Sequence, residues 1–243
     1  MKESMKWNKI LIISILSFLN IIFCSLPALA IPYTSSQYYC LMDSDTGQVI
    51  FSKNLDEMRH MASTTKMMTA ILASEYAGLE EIAVVSAHAD RTPEFTIGLR
   101  EGQEISIAEL LKVALIRSSN DAAVVLAEHV AGDEQLFAHL MSKKAFLLGA
   151  VNTHFANASG LPADNHYSTA YDLAQMGRYL LSTSYISDLV ATRTTSFQHP
   201  GYREPLTINN TNGLLSGYSG ANGIKTGTTN AAGKCLVASA IRS

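Results

Sequence analysis

The most informative segment for the fold runs from Met61 to Tyr76 and reads MASTTKMMTAILASEY. It opens on small hydroxyl residues and then becomes apolar on nearly every side. A surface helix carries its apolar residues on one stripe, whereas a helix that is apolar all round is buried. The stretch therefore predicts a buried central helix from about Ser63 to Tyr76, around which the rest of the chain is organised.

β-prone segments lie on both sides of this helix, near the two ends of the chain. Segments 38–42 and 48–52 flank the turn sequence DSDTG at 43–47, which predicts a hairpin. Segments 223–229 and 234–241 flank a short Asn-Ala-Ala-Gly turn and predict a second hairpin.

Helical periodicity fills the middle of the chain. Apolar spacing predicts helices over 106–116, 121–130, 134–148 and 169–181. Two of these have capping boxes at their starts, Ser106 with Glu109 and Thr169 with Asp172.

The order of these elements predicts an α/β two-lobe (α+β) architecture. An antiparallel sheet from the chain ends would be flanked by helices, and an all-helical lobe would be inserted between the end segments. We expect the sheet lobe to comprise 31–62 and 205–243 and the helical lobe 63–204.

The first thirty residues are typical of a signal peptide. Three lysines precede an apolar run over 10–26, and Ala-Leu-Ala at 28–30 is a small-x-small cleavage signal. We expect cleavage near Ile31, export from the cytoplasm and no membrane association encoded after cleavage. An uncleaved membrane anchor is the alternative, because the run approaches spanning length.

Charge and composition exclude several classes of function. The formal net charge is −3, from 18 basic and 21 acidic residues, so the chain lacks the basic surface that nucleic acid requires. No Cys/His spacing resembles a zinc site, and neither a metal nor another cofactor is expected. Cys40 and Cys235 could pair, but their strand-like apolar surroundings favour buried free thiols.

Ser63 and Lys66 are the first candidate catalytic pair. Residues three apart on a helix share a face, and burial would favour the neutral amine of Lys66. Such an amine can take the Ser63 proton as the hydroxyl attacks a carbonyl. The alternative is a helix-capping serine followed by a surface lysine, since one Ser-x-x-Lys is expected by chance in a chain of this length.

Ser118 and Asn120 lie where the helical pattern breaks. Their hydroxyl and amide could face one cleft, the serine as a proton relay and the asparagine as a clamp on a substrate amide. The alternative is that Asn120 simply caps the following helix.

Lys225-Thr226-Gly227 lies in the first C-terminal strand. Alternation places Lys225 and Gly227 on one face, and Thr226 and Thr228 on the other. The lysine would attract a terminal carboxylate, the threonines would bind it, and the glycine would let a substrate backbone approach. The alternative is an edge strand protected by a lysine.

Together these motifs resemble those of the penicillin-recognising serine D-Ala-D-Ala carboxypeptidases, the low-molecular-mass penicillin-binding proteins. The similarity covers the chain from about residue 35 to its end. Its blocks are 41–47 LMDSDTG, 61–70 MASTTKMMTA, 119–123 SNDAA, 160–162 GLP, 165–169 NHYST and 223–229 GIKTGTT.

The resemblance implies a role for each motif residue in acyl transfer. Ser63 would form the acyl-enzyme, Lys66 would accept its proton, Ser118 would relay it, and Asn120 would hold the substrate amide. The backbone N–H groups of Ser63 and Thr228 would form the oxyanion hole.

The resemblance also implies the substrate and the inhibitor. Lys225 and Thr226 would bind the terminal carboxylate of a peptidoglycan stem peptide ending in D-Ala-D-Ala, beside Gly227 and Thr228. β-Lactam antibiotics would acylate the same serine.

Two other functions use similar residues. A class A β-lactamase needs a glutamate in a Glu-x-x-Leu-Asn loop, and the nearest stretch here, 204–209, has the wrong spacing. A non-catalytic penicillin-binding or peptidoglycan-binding module would share the motifs without turnover.

The chain ends soon after the strand that contains Cys235, whereas members of the family usually continue, so we expect the catalytic domain to be incomplete at its C-terminus.

Overall fold

The computed structural model describes residues 34–242, which from Gln37 onward form one compact unit. The predicted signal peptide, residues 1–30, and its cleavage site lie outside the described residues. Within the described part, none of the helices has the length and apolar character needed to cross a membrane.

The described residues form eight strands and eight helices, and two short turns of other helical types join them. The strands are β1 Tyr39–Met42, β2 Val49–Lys53, β3 Ile82–Val84, β4 Glu104–Ser106, β5 Thr194–Phe197, β6 Leu206–Asn209, β7 Ala221–Thr229 and β8 Gly233–Ala240. The helices are α1 Lys66–Tyr76, α2 Ala87–Asp90, α3 Ile107–Lys112, α4 Asn120–Ala131, α5 Glu134–Leu147, α6 Ala170–Leu181, α7 Ser184–Ala191 and α8 Leu214–Gly217. A 3₁₀ turn, Ala62–Thr65, precedes α1, and a π turn, Val113–Arg117, follows α3.

Helix α1 is the centre of the molecule, as its sequence predicts. Every residue from Lys66 to Ala73 is buried. The helix packs against α4, α5 and α6. Because each fully buried Leu, Ile or Met side chain contributes about 1.5–3 kcal/mol, this helix is a main source of the stability of the fold.

The entry into α1 differs from the prediction. Ser63 lies in the 3₁₀ turn, and the α-helix begins only at Lys66. The hydroxyls of Thr64 and Thr65 donate to the carbonyls of Met61 and Ala62 at 2.6 and 2.8 Å, which holds the tighter turn. In a 3₁₀ turn residues three apart eclipse one another, so Lys66 lies directly over Ser63.

The predicted antiparallel hairpins at both chain ends are confirmed, but they do not form one sheet. Strand β1 pairs with β2 and β7 pairs with β8, and each of the four sheets in residues 34–242 has two strands. Instead, both end hairpins contact helix α6. Its Arg178 donates to the carbonyls of Ser44 and Asp45 in the first, and its Gly177 fits closely under Val237 of the second.

The predicted helical lobe is mainly helical but not entirely so. Strands β3, β4 and β5 fall within 63–204, and the first two have only three residues each. Strands this short cannot display a recognisable alternation of apolar and polar residues, which is why the sequence did not indicate them.

The predicted helix starts and the predicted break are confirmed. Ser106 accepts from the Glu109 N–H at 3.3 Å, and Thr169 accepts from the Asp172 N–H at 3.0 Å. The helical pattern from Ser106 ends at Ser118, whose φ of 70° is left-handed. This reversal of the backbone turns the chain into α4 and places residues 118–120 beside α1.

Candidate active site

Ser63 and Lys66 are in direct contact. Lys66 Nζ lies 3.0 Å from Ser63 Oγ, and the lysine is completely buried while the serine is partly exposed. Burial, and next the positive charge of Lys225, hold the pKa of Lys66 well below its usual value, although the carboxylate of Asp121 opposes the shift. The surroundings therefore shift this lysine toward its neutral amine.

The other contacts of Lys66 decide where its lone pair points. Nζ donates to Asn120 Oδ1 at 2.6 Å and to the carbonyl oxygen of Ser159 at 2.7 Å. Both partners are acceptors only, so they take the two N–H groups of a neutral amine. The remaining position of the nitrogen is its lone pair, which lies on the side of Ser63.

The side chain of Asn120 is engaged at both ends. Oδ1 binds Lys66, and Nδ2 donates to the carbonyls of Pro93 and Glu94 at 3.3 and 3.2 Å. This set of donors and acceptors fixes the orientation of the amide. Ser119 occupies the N-cap position of α4 and Asn120 is its first residue, so Asn120 is not the cap. Its contact with a substrate amide stays a prediction.

Ser118 is paired with Lys225. Lys225 Nζ donates to Ser118 Oγ at 2.9 Å and to the Thr226 carbonyl at 3.0 Å. Lys225 is 1% exposed, and burial lowers its pKa to about 7. No direct hydrogen bond joins Ser118 to Lys66 in residues 34–242, so the predicted relay would begin from the side of Lys225.

Strand β7 lies against the 3₁₀ turn, and Gly227 makes this possible. A Cβ on Gly227 would lie 2.7 Å from the Ser63 nitrogen and 3.0 Å from the Ala62 Cβ. The predicted alternation is confirmed. Lys225 and Gly227 are buried, whereas Thr228 is exposed and the Thr226 hydroxyl lies 2.7 Å from that of Thr211.

Asp121 is a buried carboxylate that the motif analysis missed. It is 1% exposed and accepts N–H groups of Ile97, Gly98 and Leu99, each at 3.1 Å from a carboxylate oxygen. The Ser119 hydroxyl also donates to it. Asp121 thus ties the loop after α2 to the start of α4. Its position directly after Ser-Ser-Asn was the available signal.

The Ser159 carbonyl was also missed, because a backbone atom carries no side-chain signature. Gly160 has a φ of 88°, and a Cβ there would lie 2.0 Å from the Ala62 carbonyl oxygen. Asn157 Oδ1 accepts from the Gly160 nitrogen at 2.7 Å. These contacts hold the carbonyl of Ser159 against Lys66.

His166 contacts the 3₁₀ turn through the hydroxyl of Thr65. Since the Thr65 hydroxyl donates to Ala62, it accepts from His166 Nε2 at 2.7 Å. Nδ1 in turn accepts from the Ala156 N–H at 3.0 Å. These partners require the neutral ring, and burial lowers the pKa of His166 to about 4. The signal in the sequence was the block 165–169.

The two cysteines in the described residues are not paired. Cys40 and Cys235 are free and partly buried, and burial raises the pKa of both thiols. In the described part of the chain, no cluster of three or more His, Cys, Asp or Glu side chains could hold a metal ion. The groups that meet at the candidate site are the hydroxyls of Ser63 and Ser118, the amide of Asn120 and the amines of Lys66 and Lys225.

Named proteins are similar to this chain over most of its length. D-alanyl-D-alanine carboxypeptidase DacF of Bacillus subtilis (strain 168) is 38% identical over 205 residues, which are 82% of this chain and 52% of the relative. DacA of Escherichia coli (strain K12), also named a D-alanyl-D-alanine carboxypeptidase, is 34% identical over 222 residues, 86% of this chain and 54% of the relative. The chain thus spans about half the length of the curated relatives it matches.

Solved structures share the fold. A D-alanyl-D-alanine carboxypeptidase from Mycobacterium tuberculosis H37Rv superposes with a TM-score of 0.84 at 31% identity, over 89% of this chain and 81% of that one. The Streptomyces K15 DD-transpeptidase superposes with a TM-score of 0.80 at 28% identity, over 88% of each chain. The family profile described as D-alanyl-D-alanine carboxypeptidase, Peptidase_S11, matches residues 28–243. The chain therefore belongs to the D-alanyl-D-alanine carboxypeptidase family, peptidase family S11.

Proposed function

We propose that the chain is the catalytic part of a serine-type D-Ala-D-Ala carboxypeptidase. It removes the terminal D-alanine from peptidoglycan stem peptides through an acyl-enzyme on Ser63, and penicillin blocks it by acylating the same serine. The observation that carries the proposal is the environment of Lys66. Its two N–H groups are bound by Asn120 and Ser159, and its lone pair is left for Ser63 at 3.0 Å.

Acylation begins when Lys66 takes the hydroxyl proton of Ser63 and Oγ attacks the carbonyl carbon of the penultimate D-Ala. The C–N bond to the terminal D-Ala then breaks and leaves an ester on Ser63. The departing amine takes a proton from the hydroxyl of Ser118, which Lys225 restores across their 2.9 Å hydrogen bond.

Deacylation uses the same base. Because the pKa of Lys66 is low, the ammonium formed during acylation returns its proton to solvent, and Lys225 regains one. The neutral Lys66 then takes a proton from the attacking water and gives it to Ser63 Oγ as the ester bond breaks. The products are the shortened peptide and the free serine.

The strand β7 side of the cleft binds the leaving end of the substrate. The charge on Lys225 attracts the terminal carboxylate, and the hydroxyls of Thr226 and Thr228, on the opposite strand face from Lys225, donate to it. The N–H groups of Ser63 and Thr228 stabilise the oxyanion. The close approach of Gly227 to the Ser63 nitrogen supports this placement, since it brings the strand and the turn together.

The proposal places the protein outside the cytoplasmic membrane, where peptidoglycan is assembled. Support comes from the signal-peptide pattern of residues 1–30. N-terminal sequencing of the exported protein should begin near Ile31. A mature protein that retained residues 1–30 would contradict cleavage and favour the anchor.

Two measurements test the activity. Fluorescent penicillin should label the wild-type chain and leave folded Ser63→Ala unlabelled. Release of D-alanine from diacetyl-Lys-D-Ala-D-Ala should depend on the same serine. A folded wild-type chain that takes up no label would overturn the proposal. Labelling without release of D-alanine would favour a non-catalytic penicillin-binding module.

The structure gives the β-lactamase alternative no further support. Glu204 lies in an exposed loop, and the segment after it forms β6, which pairs with β5. Hydrolysis of the penicillin label at a rate comparable to D-alanine release would restore that alternative.

A further inference from the structure

A second concave site borders the catalytic side chains. It is a cavity of about 160 Å³ formed by the end of α2 and the loop after it, the start of α5, and the loop 157–161. Two of its lining residues, Pro93 and Ser159, carry the carbonyls that accept hydrogen bonds from Asn120 and Lys66. The cavity and the candidate active site therefore share a wall.

The cavity contains one acidic side chain, Glu134, and its oxygens are already occupied. Oε1 accepts from the Ala158 N–H at 2.9 Å, and Oε2 lies 2.9 Å from Nε2 of His88. Glu134 therefore holds the wall in place through its neighbours, and both of its oxygens are turned toward donors of the protein.

Arg91 gives the cavity a guanidinium group that has no hydrogen-bond partner among the described residues. Its side chain lines the cavity and is exposed, and its guanidinium makes no hydrogen bond or ion pair within the described part of the chain. The neighbouring Asp90 has other partners, the Arg100 guanidinium and the Glu101 N–H. A planar guanidinium without a partner is suited to bind a carboxylate through two parallel hydrogen bonds.

The position of the cavity tells which part of a substrate reaches it. None of its lining residues belongs to β7, whose Lys225 and Thr226 are assigned to the terminal carboxylate. A peptide that acylates Ser63 through its penultimate residue carries its upstream residues on the side of Ser63 opposite the contacts of its terminal carboxylate. The cavity lies on the Ser159 side of the nucleophile, so it meets this upstream part.

We infer that the cavity is a subsite for the upstream part of the stem peptide, and that Arg91 there distinguishes a free carboxylate from its amide. The inference rests on the proposed function, because it takes the peptide as the ligand. It predicts a preference for stem peptides that keep a free carboxylate upstream of the scissile bond.

Binding without turnover tests the inference directly. In the Ser63→Ala chain, calorimetry would compare L-Ala-γ-D-Glu-L-Lys-D-Ala-D-Ala with the same peptide amidated at the glutamate α-carboxylate. We expect the free carboxylate to bind about fivefold more tightly, as for a partly exposed ion pair. Adding Arg91→Gln should bring the ratio of the two affinities close to one, and Arg91→Lys should keep part of it.

The matched control is Arg193→Gln, at an exposed arginine that lies next to β5 and outside the cavity. It should keep the fivefold ratio, and added salt should reduce the ratio in the parent chain. An affinity ratio near one in the parent, an equal loss in both arginine variants, or binding of neither peptide would overturn the inference. Failure of the proposed function appears separately, as absence of D-alanine release by the chain that keeps Ser63.

Discussion

Lys66 and Lys225 show how surroundings assign different chemistry to the same side chain. Both are buried, and burial lowers the pKa of both. Lys66 has two acceptor-only partners and faces Ser63, which suits a base. Lys225 retains a pKa of about 7, so near neutral pH a large fraction of it is charged and suits a proton donor and a carboxylate partner.

The rate of acylation should therefore depend on pH in a bell shape. As pH rises through the low pKa of Lys66 its amine becomes neutral and the rate increases, and as pH rises through about 7 Lys225 loses its charge and the rate decreases. The measurement is kcat/KM for D-alanine release against pH. Lys225→Met should be slower at every pH and should lack the alkaline decrease, and a decrease that survives in this variant would contradict the assignment.

Gly227 is the residue whose lack of a side chain lets β7 approach Ser63. Gly227→Ala should slow acylation by fluorescent penicillin and lower the stability by about 1–3 kcal/mol, because the new Cβ would lie 2.7 Å from the Ser63 nitrogen. Gly213→Ala is the control, since its Cβ would meet nothing within 4 Å and its φ is −62°. Equal effects in the two variants would contradict the role of close approach.

At the scale of elements, the site depends on where helices start. Helix α1 begins after a 3₁₀ turn that sets Lys66 over Ser63, and α4 begins after the left-handed Ser118. Helix α6 begins directly after its N-cap residue Thr169 and contacts both end hairpins. The first N–H groups of a helix have no partner within the helix. The contacts that satisfy them also hold the neighbouring residues in position.

The cap of α6 can be tested against an uncapped neighbour. Thr169→Ala should lower the free energy of unfolding in urea by about 1 kcal/mol, because Thr169 Oγ1 accepts from the Asp172 N–H at 3.0 Å. Thr183 occupies the same position before α7 but makes no side-chain capping bond, so Thr183→Ala should cost less. A larger loss in Thr183→Ala would contradict this account of the cap.

At the scale of the whole molecule, the fold places two lysines in the core between α1, α4 and β7. A buried lysine whose pKa is lowered destabilises the fold most at low pH, and this cost falls with rising pH wherever the unfolded chain binds its proton and the folded chain does not. For Lys225 that window opens at about pH 7 and extends to its ordinary pKa. Across it the free energy of unfolding should rise with pH, because the unfolded state binds more protons.

Urea unfolding at several pH values between about 7 and 8.5 would measure this effect, below the range where the thiols of Cys40 and Cys235 contribute strongly. The wild-type chain should gain stability with rising pH, and Lys225→Met should show a smaller slope. The difference between the two slopes isolates Lys225. Identical slopes would show that Lys225 has the same pKa in the folded and unfolded states.

Much of the fold and of the candidate site could be predicted from local patterns. The buried helix α1, the end hairpins, the caps at Ser106 and Thr169, and the break at Ser118 all follow from residues close in sequence. The separation of the hairpins could not be predicted, because it depends on how α6 packs under both. Strands β3 and β4 were missed because three residues are too few to show a period.

The residue types of the candidate site, their order and the elements that carry them can be read from the amino-acid sequence. Their hydrogen-bond partners depend on tertiary packing. Packing forms the hydrogen bonds of Lys66 with Asn120 and Ser159, of Lys225 with Ser118, and of His166 with Thr65. The physical reason is distance along the chain: helix and strand patterns act over a few residues, whereas these hydrogen bonds join residues 54 to 107 positions apart and exist only once α1, α4 and β7 have packed together.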